Sequence, residues 1–450
     1  MINTVRKHFP LFAIGFFFVV AVSITLYDSQ MSTDPEEWKL RGDLTEYSLA
    51  ASWVMLDGGN AYDRAVHPYN NNYKYFPLNA TVLVPLGLLP IPMAQGLWVA
   101  INACLLLFAL WTLKELAGRE RLNILFWIVA FLISGRFMID NIQLGQWNLP
   151  VFSLTVIGLW LMIARRRTWS GGAVIGLAAG LKYMPAGFAI YFLARRQWKS
   201  AIAVLCGMVL WILILPSLVW GPSRHIEMLG NFVEKSREST ENMIGRQIYV
   251  GHSLLVFVKS SLTDSVHHPI HGVYGRKNIV DWPEETAGAI AFGLCFLAAL
   301  ATFLAVGRGG RVEPGLRTLL DISAIFALLL MVSPEMRKAQ MLTMYVPSFS
   351  LILAFRYRPK GSAARRIALS VLVLAFVAMF ASSDHGDAWE HTQEWLALHG
   401  SWTLYILTFW LGCILVRLRE EKTDSSLQSQ EKGKAKNSNA DGFDQACQAD

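Results

Sequence analysis

The chain has 450 residues, 54% of them hydrophobic and only 16% charged, with a formal net charge of +7. Soluble domains carry about 25% charged residues, so a soluble globular protein is excluded and a bilayer takes the place of one large core. The positive charge does not point to nucleic acid, because the basic residues fall in short clusters beside apolar runs, as the positive-inside bias predicts. Arg6 and Lys7 precede a long apolar run, which predicts a signal-anchor first span over residues 1–27. Residues 28–78 then form a polar outer loop that crowds Asp43, Glu46, Asp57 and Asp63 with Trp38, Tyr47, Tyr62 and Tyr75. Asp43, Glu46 and Tyr47 share a helical face. Paired carboxylates suit acid–base work, and the same pattern also suits a solvated amphipathic helix. Pro77, Pro85, Pro90 and Pro92 make a proline-broken approach to the next span.

Residues 79–417 read as a transmembrane core. Basic clusters at 114–121, 164–169, 194–199, 308–317, 355–366 and 416–422 mark the inside, which leaves outer loops at 135–148, 220–283, 333–340 and 382–401. In the first of these, Gln146 and Asn148 suit either sugar hydroxyls, since amides donate and accept, or helix capping. Residues 170–193 carry basic clusters at both ends, which predicts a hairpin of two short helices with Lys182, Tyr183 and Pro185 at its tip. Buried irregular backbone is tolerated only beside protein or a water-filled cavity. An ionisable Lys182 there is a functional candidate, with snorkelling to the interface as the alternative. Gly172, Gly176 and Gly180 recur at helical spacing, as close helix packing requires.

The loop at 220–283 carries Arg224, His225, Arg237, Arg246, His252, Lys259 and Arg276, and residues 333–340 add Arg337 and Lys338. Basic side chains on the outer face run against the sidedness bias, and phosphate binding is one reason for them. The His267–Gly272 stretch has no defensible zinc spacing. Of five cysteines, Cys104, Cys206, Cys295 and Cys413 lie in apolar spans and Cys447 in the polar tail, so no disulfide framework is implied. Residues 418–450 read as a disordered cytoplasmic tail. The expected fold is an all-α polytopic membrane protein of about 12 spans, with both termini inside. No nucleotide-binding motif is visible.

Asp43-x-x-x-Tyr47, the Gly-Gly and Tyr-Asp of residues 58–63, YKYFPL followed by PLGLLP (73–90), LGQWN (144–148) and the glycine-rich run 171–196 together resemble glycosyltransferase family 87, of the GT-C membrane glycosyltransferases. The resemblance implies a GT-C-like bundle that moves a mannose-like sugar from a polyprenyl-phosphate donor to a glycolipid or glycan acceptor, at the outer face of the plasma (inner) membrane. It implies Asp43 as general base in an inverting displacement. Lys182, Arg246, His252 and Arg337 are then donor-phosphate candidates, and Glu46, Tyr47, Tyr75, Gln146 and Asn148 acceptor or sugar contacts. No cofactor is expected besides the donor substrate, and no acidic spacing singles out a divalent-cation site. Gly251-His252-Ser253 stands where the family often has Asn-Gln-Ser, and Ala339 where it often has a histidine. The competing readings are a transporter or flippase of lipid-linked saccharides, for which paired internal repeats are missing, and a non-catalytic assembly factor.

Overall fold

The structure is a computed structural model that describes residues 43–63, 73–118, 122, 124–245, 251–264, 278–307, 312–334, 336–381, 395–396 and 399–419. The signal-anchor, the His267–Gly272 stretch and the tail beyond residue 419 lie outside these, as does most of the loop 382–401. The described residues are helical, with no strand among them. That follows from the composition, since apolar surroundings leave backbone polar groups only one another as partners.

A π-helical turn (Leu44–Leu49) leads into α1 (Ala50–Leu56), followed by α2 (Pro77–Gly87), α3 (Ile91–Leu116), α4 (Ile124–Gln143) and α5 (Asn148–Ile163). Next come α6 (Thr168–Leu181), α7 (Gly187–Ala194) and α8 (Trp198–Trp220). The remainder is α9 (Pro222–Gly245), α10 (Leu254–Leu262), α11 (Glu284–Gly307), α12 (Leu316–Val332), α13 (Tyr345–Tyr357), α14 (Ala363–Ala381) and α15 (Ser401–Arg419). Five of these, α3, α8, α11, α14 and α15, are long and apolar enough to cross a membrane.

The first described segment packs into the protein rather than lying on its surface. Leu44, Thr45, Ser48, Leu49, Ala50, Ala51, Ser52 and Met55 are all buried. Small side chains at these positions let neighbouring helices approach on several sides. Trp53 Nε1 donates to the Gly87 carbonyl at 2.8 Å, and Trp147 Nε1 donates to Ser48 Oγ at 2.8 Å.

The glycine run forms a close seam. A methyl on Gly172 would come within 2.5 Å of the Ala203 backbone, and one on Gly171 within 2.6 Å of the Gly158 carbonyl oxygen. Gly172 faces Ala203 and Gly176 faces Gly207, so α6 and α8 run parallel and both start beside a basic cluster. Between them α6 stops at Lys182, whose backbone is extended, and a 3-10 turn (Met184–Ala186) opens α7.

At the basic end a buried ion cluster ties four elements. Asp321 on α12 accepts from Arg417 Nε on α15 at 2.7 Å. Arg195, after α7, brings Nη1 to 3.8 Å from Asp321 and donates to the Val306 carbonyl of α11 at 2.8 Å. Arg166 pairs with Glu313 at 3.8 Å, with both side chains exposed. Removing one partner of a buried pair leaves an uncompensated charge. Asp321→Ala is therefore expected to lower stability by about 3–5 kcal/mol, read as a drop in the detergent melting temperature. Arg166→Ala, at an exposed pair, should cost under about 1 kcal/mol.

Candidate active site

The opposite ends of the same helices converge on one cavity. α5 begins at Asn148, α6 ends at Leu181, and α12 ends just before Ser333 and Pro334. The cavity holds about 240 Å3 and is lined by residues from six parts of the chain. Asp43 and Tyr47 come from the π-helical turn, and Lys74, Tyr75 and Phe76 from the strand-like approach to α2. Gln146, Asn148, Lys182 and Tyr183 come from helix ends, Phe232 and Ser236 from α9, and Pro334, Arg337 and Gln340 from the segment after α12.

Each lining residue is held locally. Gly145 ends α4 in the left-handed region (φ +62°), and its neighbour's carbonyl, that of Leu144, accepts from the Asp43 amide at 2.9 Å. Phe76 is extended (ψ 153°) as a residue before proline should be. Tyr73 is buried behind it, donates to the Phe76 carbonyl at 2.9 Å and accepts from the Ala80 amide at 3.1 Å. Tyr62 donates to the Tyr75 carbonyl at 2.7 Å, so three tyrosines brace this wall. Phe76 packs on Phe232 with ring centroids 4.1 Å apart. Asn79 Nδ2 donates to the Leu181 carbonyl at 3.1 Å, which satisfies an otherwise open carbonyl at the end of α6 and sets Lys182 in place.

Three cations face one carboxylate. Burial pushes the Asp43 carboxyl above its usual range, while Arg337, Lys182 and Lys74 and a hydrogen bond from Gln146 pull it back. Lys182 Nζ donates to Asn148 Oδ1 at 2.5 Å, and Asn148 Nδ2 donates to Gln146 Oε1 at 2.6 Å. Burial keeps the Tyr62 and Tyr73 phenols protonated, with pKa values raised well above the ordinary one. The site can therefore hold an ionised base beside a cationic patch suited to phosphate.

The expected residues Asp43, Tyr47, Tyr75, Gln146, Asn148, Lys182 and Arg337 thus meet in one place. Glu46 lies in the π-helical turn, with its side chain outside the described residues, and Arg246 is outside them altogether. His252 is buried and does not line the cavity; its amide donates to the Met336 carbonyl at 3.1 Å and its carbonyl accepts from Thr403 at 2.9 Å, which braces the segment bearing Arg337. Arg224 clamps the first segment instead of facing the cavity, donating to the Met55 and Gly59 carbonyls at 2.9 and 2.8 Å. Lys338 turns from Arg337 to the Trp402 ring, 5.6 Å from its centroid.

Lys74, Phe76, Phe232, Ser236 and Gln340 line the cavity without having been singled out by the sequence. Phe232 and Ser236 had a usable signal, a four-residue spacing on one face of a polar helix. Lys74 had one too, as a basic residue inside the YKYFPL motif of a loop read as outer, whereas Gln340 had none.

The family model for glycosyltransferase family 87 matches residues 73–334. The chain belongs to glycosyltransferase family 87. It is 24% identical over 270 residues to an alpha-(1->3)-arabinofuranosyltransferase of Corynebacterium glutamicum, covering 57% of this chain and 62% of that one. It is 26% identical over 210 residues to a polyprenol-phosphate-mannose-dependent alpha-(1-2)-phosphatidylinositol mannoside mannosyltransferase of Mycobacterium tuberculosis, covering 41% of this chain and 48% of that one. The matched stretches span about three-fifths of the first relative and about half of the second. No solved structure matches. Within the family 87 match lie Lys74, Tyr75, Gln146, Asn148 and Lys182, whereas Asp43, Tyr47 and Arg337 are brought to them from outside it.

Gly145 is a point of close approach between α4 and the first segment. A side chain there must adopt the left-handed conformation, and its Cβ would sit 3.0 Å from Leu44 Cβ. Gly145→Ala should cost about 1–2 kcal/mol from conformation alone, read by thermal unfolding; the control is Gly96→Ala, inside α3 where a Cβ meets open space, which should leave stability unchanged or raise it.

Proposed function

We propose that the protein transfers a sugar from a polyprenyl phosphate to a glycolipid or glycan acceptor, with inversion at the anomeric carbon. The observation that carries this reading is the cavity that sets the Asp43 carboxylate beside Lys182, Arg337 and Lys74. In the reaction an acceptor hydroxyl oxygen forms a bond to the anomeric carbon as the bond from that carbon to the phosphate oxygen breaks. Asp43 takes the hydroxyl proton, as general base. The phosphate leaves with the lipid, and its gathering negative charge is stabilised by Lys182 and Arg337 in a site shielded from bulk water. Tyr47 and Tyr75 line the same space and supply hydroxyl and ring surface to a sugar.

Helix length suits a lipid-borne donor. α5 has 16 residues and α6 has 14, which at 1.5 Å per residue is about 24 and 21 Å, short of the ~30 Å hydrocarbon layer. A cavity at their ends is recessed into the apolar layer, where a phosphate carried on an isoprenoid chain can enter sideways. The basic clusters lie at the other ends of these helices, so the positive-inside bias favours a cavity open to the outer face of the plasma (inner) membrane. The same bias supports about 12 spans, cytoplasmic termini, and residues 170–193 as a re-entrant hairpin with Lys182 at its tip. A mannose-like donor is the reading favoured by the mannosyltransferase relatives, and the transporter alternative is not favoured.

The test is transfer from polyprenyl-phosphate mannose or arabinose to a glycolipid acceptor by purified protein. Asp43→Asn should abolish transfer while donor binding persists, and wild-type turnover in that variant would overturn the assignment. The fold should not suffer. A carboxyl whose folded pKa is raised binds its proton more tightly when folded, so ionising it costs stability as pH rises through that window. Asp43→Asn should therefore melt no lower than the wild type at neutral pH. The acid limb of kcat/KM should fall above 3.8, the ordinary carboxyl value. Lys182→Ala should lower kcat by about 100-fold or more, as loss of a single preorganised donor to a developing anion does.

A further inference from the structure

Resting on that reading, we propose that Gln146 and Asn148 are positioning residues: they hold Asp43 and Lys182 two amide groups apart in a single directed line of hydrogen bonds across the cavity. Lys182 donates to the Asn148 oxygen and the Asn148 nitrogen donates to the Gln146 oxygen, which leaves the Gln146 nitrogen to serve the Asp43 carboxylate in the cavity they share, where it lowers that carboxyl's proton affinity. The two ends fix the direction. An ammonium has no acceptor and an ionised carboxylate has no donor. Turning Asn148 over would set its NH2 against the ammonium, and turning Gln146 over would set its oxygen against the carboxylate. Each amide is thus locked by its neighbour, and both dipoles point the same way, from cation to base.

The spacer keeps the two charges apart. A direct Asp43–Lys182 ion pair would depress the base and occupy the cation. Two intervening amides keep the groups linked yet separate, so that one end can face a hydroxyl and the other a phosphate. The backbone enforces this. Gln146 and Asn148 flank Trp147, which is pinned by Ser48 and by the Trp98 ring 4.7 Å from its own. Gln146 is further held by its own amide, which donates to the Asn141 carbonyl at 3.0 Å. In this arrangement each amide spends its oxygen and one N–H on the line, and one N–H of each remains for a substrate.

The other charged or titratable groups that bear on Asp43 are Arg337 and Lys74, with Tyr47 on its own helical turn. None of them changes in the variants below. The experiment titrates Asp43 directly in ligand-free full-length protein, by infrared difference of the 13C-labelled carboxyl, with Asp43→Asn to assign the band. In parallel, the pH dependence of kcat/KM is measured with a polyprenyl-phosphate sugar. Gln146→Leu removes the donor to the carboxylate and should move the Asp43 midpoint up by about one pH unit. Gln146→Glu adds a second carboxylate and should move it further. Asn148→Leu removes the spacer and lets Lys182 close on Asp43, so the donor KM should rise and the midpoint should move down. Gln146→Leu should instead lower kcat at neutral pH with little change in KM. A merely structural role would reduce the amount of active protein and leave the midpoint where it is. Unmoved midpoints in Gln146→Leu and Gln146→Glu overturn the line. Transfer surviving in Asp43→Asn overturns the function reading instead, and the infrared titration still decides the line.

Discussion

Backbone N–H and C=O groups cannot be left open against hydrocarbon, and this constraint organises the protein. It makes the described chain helical, and it confines irregular backbone to places where helices end against one another. Most of the cavity is built from such places: the turn before α5, the break after α6, the extended approach to α2 and the segment after α12. Each end presents polar groups that need partners, and those partners are the site. Asn79 closing the Leu181 carbonyl is both a helix cap and the reason Lys182 faces the cavity.

The second requirement is electrostatic. A partly buried carboxylate is costly unless cations and donors surround it. Arg337, Lys182, Lys74 and Gln146 do this for Asp43, yet burial still dominates and leaves its proton affinity raised. The result is a carboxyl in a place that resists its ionisation, which is a stability cost placed at the candidate site. At the far end of the bundle the Asp321 cluster solves the same problem differently. There the charges are buried, with Arg195 and Arg417 sharing one carboxylate. One arrangement lines a cavity and the other ties helices together.

Close packing links the two ends. The seam of Gly171, Gly172 and Gly176 lets α6 approach both α5 and α8 nearly backbone to backbone. α6 carries Arg167 at its start and Lys182 at its end. A helix held this firmly at its middle fixes where its end residue sits, as a positioned cationic group requires.

By itself the sequence determined the helical membrane class and the family, and it named seven of the residues that line the cavity. Low charge content, basic clusters and apolar runs are local properties, and they survive without knowledge of the fold. Asp43, Tyr47, Tyr75, Gln146, Asn148, Lys182 and Arg337 were legible because polar groups beside apolar spans are expensive and so stand out. Other matters were decided only by the tertiary structure. Arg224 and Arg337 look alike in the sequence, but one clamps carbonyls and the other lines the cavity. His252 braces backbone, while Gln340, which had no local signal, lines the cavity. The direction of the amides joining Asp43 to Lys182 also belongs to the fold, because Lys182 meets Asn148 only through packing of segments 34 residues apart. A side chain's role depends on which partners surround it, and those partners arrive from elsewhere in the chain.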